Sequence, residues 1–161
     1  MRLVSISEAV DSAKCELAAA GLRSSGSLRL GVRGWSMFPS IRPGGTLLVE
    51  LTDHDDVARR DIVLFFREHG FFAHRAIGRN PDGSGILTRG DAMLMAVPPA
   101  NQAELPGKVT LSWRGGKCTE PPNSLGPFER VVADIVRRFA GAARIVVAVY
   151  GLIQSQQVQT V

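Results

Sequence analysis

The segment DIVLFFREHGFFAHRAIG, residues 61–78, sets the predicted fold. Asp61–Arg67 contains five consecutive apolar residues, which predicts a buried strand. His69-Gly70 is typical of a hairpin tip, and Phe71–Gly78 would return antiparallel to the first strand. The hairpin therefore indicates a β-rich body.

Further strands are predicted on both sides of this hairpin. They are short and separated by turns rich in Gly, Pro and Asn, and they cover Leu28–Val32, Thr46–Leu51, Ile86–Arg89 and Lys108–Arg114. Residues 92–106 hold three prolines and are predicted to form an irregular loop.

Helices are predicted at both ends of the chain. Ser5-x-x-Glu8 fits a capping box that begins a helix to about Ala20, with Gly21 as its stop. The Ser/Gly stretch at residues 24–27 would be a hinge between this helix and the β body. A second helical pattern begins at Phe128 and continues to about Gln154.

We therefore predict a mainly β fold with an N-terminal and a C-terminal helix. Its three segments are residues 1–26 (helix and linker), 27–118 (β body) and 119–161 (loop and helix). The full length of 161 residues suits one domain with its own core.

The charge pattern and the cysteines bear on nucleic-acid binding, metal binding and the oxidation state of the thiols. The net charge is +4, and 16 of the 19 basic residues are arginines spread along the chain, which argues against a nucleic-acid face. Cys15 and Cys118 lack metal-ligand spacing, and we expect unpaired thiols in a reducing compartment.

The apolar segments predict no membrane-spanning helix. Glu8, Asp11, Lys14 and Glu16 interrupt the apolar residues of Met1–Gly21, which argues against a signal peptide. Ile145–Ile153 has nine apolar residues, fewer than the roughly 20 that a spanning helix needs. This end of the chain could lie on a membrane surface, on its own domain or on a second copy, since its apolar residues are flanked by Arg130, Arg137, Arg138 and Arg144. We expect a cytoplasmic protein with peripheral membrane association as one option.

Ser36 is the first candidate for chemistry. It lies in Gly34-Trp35-Ser36-Met37-Phe38-Pro39, where the glycine permits a close backbone approach and the proline fixes the chain beyond the serine. Such a loop could present a hydroxyl and a backbone N–H to a substrate carbonyl. The alternative is a plain turn serine between buried apolar neighbours.

A serine nucleophile needs a base, and the chain has three histidines. His54 lies in an acidic turn and His69 at the hairpin tip, and both are predicted to be solvated. His74 lies within an apolar strand and is the best candidate base. Asp91 in Thr88-Arg89-Gly90-Asp91 could orient His74, or it could bond its own turn.

These segments resemble the type I signal peptidase and SOS-repressor superfamily of serine proteases. Five boxes stand in the family's order between residues 31 and 112. They are Gly34-x-Ser36-Met37-x-Pro39-x-Ile41-x-x-Gly44, Arg60–Phe65, His74–Gly78, Thr88–Asp91 and Gly107–Val109. His74 stands where many members have Lys. A histidine at this position is similar to the endoplasmic-reticulum, archaeal and sporulation-type signal peptidases, which use a Ser/His pair.

The resemblance implies a coiled, barrel-like antiparallel sheet and a Ser/His endopeptidase without metal or organic cofactor. Ser36 would be the nucleophile, His74 the base and Asp91 the supporting acid. A further set would form the oxyanion and substrate-binding groups: Gly34, Trp35, Met37, Pro39 and Arg75. The substrate would be a partner protein with an extended leader that docks as an added strand, with small residues before the scissile bond. Activity should rise near pH 6 to 7 if His74 titrates normally.

Three departures from the family leave other functions open. Gly45 replaces a usual Asp, Arg60 replaces a Gly, and Gly34 replaces a Ser whose hydroxyl assists the oxyanion. One alternative is therefore an inactive member that binds peptides. A self-cleaving regulator is another, although about 30 residues before the β body are too few for a helix-turn-helix domain.

Overall fold

The computed structural model describes residues 6–67 and 70–138. Two helices, eight strands and two 3-10 turns form in this part of the chain. In chain order they are α1 (Ile6–Ser25), β1 (Ser27–Gly31), β2 (Thr46–Leu51), a turn at His54–Asp56, β3 (Ile62–Arg67), β4 (Gly70–Arg79), β5 (Ile86–Arg89), β6 (Val97–Ala100), a turn at Gln102–Glu104, β7 (Gly107–Arg114), β8 (Lys117–Thr119) and α2 (Pro127–Arg138).

The predicted hairpin forms from β3 and β4 and lies within the sheet. Its register pairs Val63 with His74 and Ile62 with Arg75. Because side chains alternate along a strand, His74 and Arg75 lie on opposite faces of the sheet. Ile62 and Leu64 belong to one apolar cluster and Val63 to another. The hairpin is therefore covered by apolar side chains on both faces.

The described strands form one antiparallel sheet in the order β1-β2-β7-β3-β4-β5-β6, with β8 paired to the far end of β7. The mainly β prediction is confirmed. The barrel-like closure is wrong for the part of the chain that is described, since β1 and β6 lie at opposite ends of an open sheet.

The loop expected at residues 92–106 contains the edge strand β6 and a 3-10 turn. Pro98 and Pro99 are tolerated in β6 because it is an edge strand whose pairing with β5 is irregular between Val97 and Ala100. Their carbonyls accept hydrogen bonds from the Arg67 guanidinium, each at 3.1 Å, which attaches β6 to the end of β3.

The N-terminal helix is part of the body. It continues through Gly21 and ends at Ser25, where Gly26 takes a φ of 75° and donates its N–H to the Leu22 carbonyl at 2.9 Å. Leu22 is fully buried in the apolar cluster under β1 and β2. The predicted stop and hinge are therefore wrong, because burial of Leu22 offsets the cost of a helical glycine. The predicted cap at Ser5 lies outside the described residues.

The C-terminal helix packs on its own domain where it is described. Val132 and Val136 of α2 bury Phe38, which belongs to the loop after β1. Phe128 and Val131 of the same helix remain exposed. The expected continuation to Gln154, with the apolar run 145–153, lies outside the described residues. Neither described helix has the length and apolar character to cross a membrane.

Candidate active site

The loop after β1 anchors Ser36 through its neighbours. Met37, Phe38 and Pro39 are buried, whereas Ser36 is half-buried and Trp35 is 44% exposed. The Phe38 N–H donates to the Trp35 carbonyl at 3.0 Å, which closes a turn around the serine. The apolar side chains thus bind the loop to the core and leave the Ser36 hydroxyl near the surface.

His74 is held in an apolar environment on β4. It is 3% exposed, and its ring meets Phe65 edge-on at 5.3 Å and Phe72 at 6.4 Å between centroids. Burial lowers the pKa of His74 to about 4, against an opposing effect of the Asp91 charge. The expectation of an ordinary titration near pH 6 to 7 is therefore wrong, because the imidazole is desolvated and stays neutral at pH 7.

Ser36 and His74 line the same cavity, which has a volume of about 1050 Å³. Gly34, Trp35 and Met37 line it as well. Its floor and walls are mainly apolar, and the other lining side chains include Leu30, Ile41, Leu64, Phe65, Phe71, Phe72 and Val97. The arrangement suits a cleft that receives an apolar or small-residue chain next to a serine and a neutral imidazole.

Gly90 brings the loop that carries Ser36 against the end of β5, the strand beside His74. Gly90 directly follows Arg89, the partner of Arg75 in the β4–β5 register. A Cβ at Gly90 would clash with the Ser36 carbonyl oxygen, and that oxygen accepts the Ala92 N–H at 2.9 Å. The absence of a side chain at residue 90 therefore fixes how closely the Ser36 backbone approaches the end of β5.

Within the described residues, Ser36 Oγ and His74 are not hydrogen-bonded to each other. Catalytic hydrogen bonds are often long before substrate binds. The His74 Nδ1 atom is fully buried without a hydrogen-bond partner, so Nε2 is the ring nitrogen that can act toward the cavity.

Asp91 binds Arg75 rather than His74. Arg75 Nε donates to Oδ1 at 2.8 Å and Nη2 donates to Oδ2 at 2.7 Å, while the Ser40 hydroxyl also donates to Oδ2. Both partners are buried, with side chains 10% and 6% exposed. The expected direct Asp91–His74 contact is absent from the described residues, since both carboxylate oxygens are engaged elsewhere.

The remaining donors of Arg75 also point into the protein. Its Nη1 donates to the carbonyls of Arg60 at 3.0 Å and Pro122 at 2.9 Å. Arg75 and Pro39 do not line the cavity that Ser36 and His74 share. Arg75 instead joins four segments of the protein, and Pro39 is buried within the loop. Their contact with substrate stays a prediction.

Among the described residues, His54 does not line this cavity. His54 was expected to be solvated, but it is 8% exposed, because Arg79 covers its turn. Arg79 Nη2 donates to three carbonyls, and Nη1 lies 3.2 Å from His54 Nδ1. His69 lies outside the described residues.

Ser40 and Gly90 were missed by the sequence analysis. Ser40 reads as an ordinary polar residue, and the side chain it contacts is 51 positions away. In residues 6–67 and 70–138, no group of three His, Cys, Asp or Glu side chains is arranged to hold a metal ion.

No family model matches the sequence, and its comparison with curated proteins yields no match.

Replacing Asp91 should weaken the fold more than replacing a surface aspartate. Asp91→Ala leaves the buried Arg75 guanidinium unpaired, at an expected cost of about 3–5 kcal/mol in the free energy of unfolding. Asp134→Ala is the control, since its pairs with Arg137 and Arg138 lie at the surface and should contribute under about 1 kcal/mol. Urea unfolding monitored by circular dichroism measures both, and equal losses would contradict a structural role for Asp91.

His74 should make the protein less stable in mild acid. Its pKa is about 4 in the folded protein, against 6.5 for a solvated histidine such as that of the unfolded chain, so between these pH values the unfolded chain binds the extra proton. Stability is therefore expected to fall as pH drops from 6.5 toward 4, by at most roughly 3 kcal/mol. Unfolding free energies of wild type and His74→Gln at pH 7 and pH 5 measure the effect. If His74→Gln loses as much unfolding free energy between pH 7 and pH 5 as the wild type does, the acid sensitivity comes from other groups.

Proposed function

We propose that this protein is a serine endopeptidase that cleaves an extended leader segment from a partner protein. The observation that carries the proposal is that Ser36 and the neutral, buried His74 line one apolar cavity. The resemblance of the five sequence boxes to the signal peptidases supports the same chemistry. The open strand edges of the sheet and the apolar cleft suit an extended peptide.

In the proposed mechanism, Ser36 Oγ attacks the scissile carbonyl while His74 Nε2 accepts the hydroxyl proton. The tetrahedral oxyanion is stabilised by backbone N–H groups such as that of Ser36. His74 returns the proton to the leaving amine, and the acyl-enzyme bond at Ser36 then breaks by attack of water. Because the pKa of His74 is low, the base is already deprotonated in mild acid.

The resemblance supplies the remaining parts of the proposal. Gly34, Trp35 and Met37 lie where they can contact the bound leader, next to small residues before the scissile bond. The mechanism requires neither metal nor organic cofactor. We place the protein in the cytoplasm, with its C-terminal segment as a candidate for contact with a membrane surface or a second copy.

The test is cleavage of a peptide library of mixed sequence, followed by mass spectrometry. Ser36→Ala should abolish turnover, and His74→Gln should reduce it by about 10²-fold or more. Ser84→Ala in the exposed β4–β5 turn is a matched control and should leave turnover unchanged. The rate should rise through about pH 4, the pKa of His74, and be constant from pH 6 to 8. Undiminished cleavage by Ser36→Ala would reject the proposal.

A peptide-binding protein without catalysis is the second candidate. It is favoured by the engagement of Asp91 with Arg75, which leaves no carboxylate on His74, and by the missing hydroxyl at Gly34. Saturable peptide binding by the wild type without any cleaved product would select this candidate.

A serine at residue 34 should improve the oxyanion site. A Cβ at Gly34 meets no atom within 4 Å, so the side chain can be added without a clash. One oxyanion donor is worth about 10²–10³ in rate where its geometry is ideal, and we expect about a tenfold gain in kcat from Gly34→Ser. Gly34→Ala adds the Cβ without the hydroxyl, and an equal gain from it would attribute the effect to the backbone.

A further inference from the structure

Two polar atoms buried near the site have no hydrogen-bond partner among the described residues. They are His74 Nδ1 on β4 and Thr88 Oγ1 on β5. Thr88 is fully buried, with 0% exposure. A buried donor or acceptor without a partner is costly, and such groups in folded proteins usually find one.

The sheet places these two residues on one face. The β4–β5 register pairs Ala76 with Thr88, so the side chains of these two residues lie on the same face. His74 precedes Ala76 by two positions and lies on that face as well. Thr88 is therefore the diagonal cross-strand neighbour of His74, at a Cα separation of about 7–8 Å that an imidazole ring and a hydroxyl can span.

The neighbours of the pair on this face offer no competing partner. Val63 pairs with His74 across β3, and Ile86 lies two positions before Thr88. Both side chains are buried and apolar. Asp91, which was the expected partner of His74, is bound to Arg75 and Ser40.

We propose that Thr88 is a positioning residue whose hydroxyl accepts a hydrogen bond from His74 Nδ1–H through a single bridging water, since the two atoms are not bonded to each other directly. The bond satisfies both buried atoms and holds the imidazole in the tautomer protonated on Nδ1. That tautomer leaves the lone pair of Nε2 facing the cavity and Ser36. The hydrogen bond stands independently of catalysis, and its consequence for turnover rests on the proposed function.

A neutral hydroxyl has a different effect from a carboxylate at this position. It orients the ring without a buried negative charge to stabilise the imidazolium. The proposed arrangement is therefore a Ser/His dyad with a threonine as the orienting group.

The direct test is nitrogen-15 NMR of the imidazole rings at pH 7, with His74 assigned by the loss of its signals in His74→Gln. Thr88→Val removes the hydroxyl with little change of shape, and Thr88→Ser keeps it. Thr110→Val is the matched control, because Thr110 Oγ1 is also buried without a partner, but Thr110 lies on β7 and does not line the cavity of Ser36 and His74.

We expect the wild type and Thr88→Ser to carry the proton on Nδ1, and Thr88→Val to shift it toward Nε2. Thr88→Val should also lower the Tm, whereas Thr110→Val should leave it unchanged or raise it. Where cleavage is measured, kcat should fall roughly tenfold in Thr88→Val at unchanged KM.

Three results would overturn the proposal. The first is a wild-type ring protonated on Nε2, which needs no variant and so remains decisive if Thr88→Val does not fold. The second is an unchanged tautomer in Thr88→Val, and the third is a Tm gain equal to that of Thr110→Val. The expected tautomers together with full cleavage by Ser36→Ala would reject the protease and leave the hydrogen bond in place.

Discussion

The buried ion pair between Arg75 and Asp91 is the contact on which the site depends. Through it and its hydrogen bonds, β4 is joined to the loop after β5, to Ser40, to the Arg60 turn and to Pro122. A buried guanidinium is tolerable only when its donors are satisfied, and these partners are supplied from four separate segments. The segments that carry Ser36 and His74 are thereby held in one arrangement.

The two faces of β4 differ in their electrostatic environment. Arg75 carries a fully paired charge on one face, whereas His74 faces Phe65 and Phe72 on the other. The aromatic surroundings keep water from His74 and lower its pKa. The Asp91 carboxylate is thus close enough to raise the pKa of His74 electrostatically. Its oxygens nevertheless bind Arg75, which lies on the opposite face of β4.

Sequence patterns predicted most of the strands but missed β6 and β8. β2, β3 and β5 are apolar segments between clear turns, so their bounds are close to those predicted. The two prolines of β6 favoured the prediction of a loop. The three-residue β8 is too short and too exposed to show an alternation of apolar and polar residues. α1 passes through Gly21 because Leu22 gains more from burial than the glycine costs, and only the tertiary contact shows that.

The candidate nucleophile and base were predictable, but their supporting contacts were not. Ser36 and His74 stand out through unusual neighbours along the chain. The alternation of side chains along β4 already predicts that Arg75 and His74 lie on opposite faces of the sheet. Which of the two binds Asp91, however, depends on the path of the loop after β5. The burial of His54 likewise depends on Arg79, which lies 25 residues along the chain. Such long-range pairs follow from the assembled fold.

The close approach at Gly90 affects how a mutational survey of this protein would be interpreted. Any side chain there would displace the Ser36 backbone, with Met93 as the second obstacle at 2.9 Å. Gly90→Ala would consequently resemble loss of the proposed nucleophile, Ser36, in an activity screen, although residue 90 contributes no functional group. An activity screen alone would therefore identify Gly90 as a catalytic residue, although its role is to leave room for the Ser36 backbone.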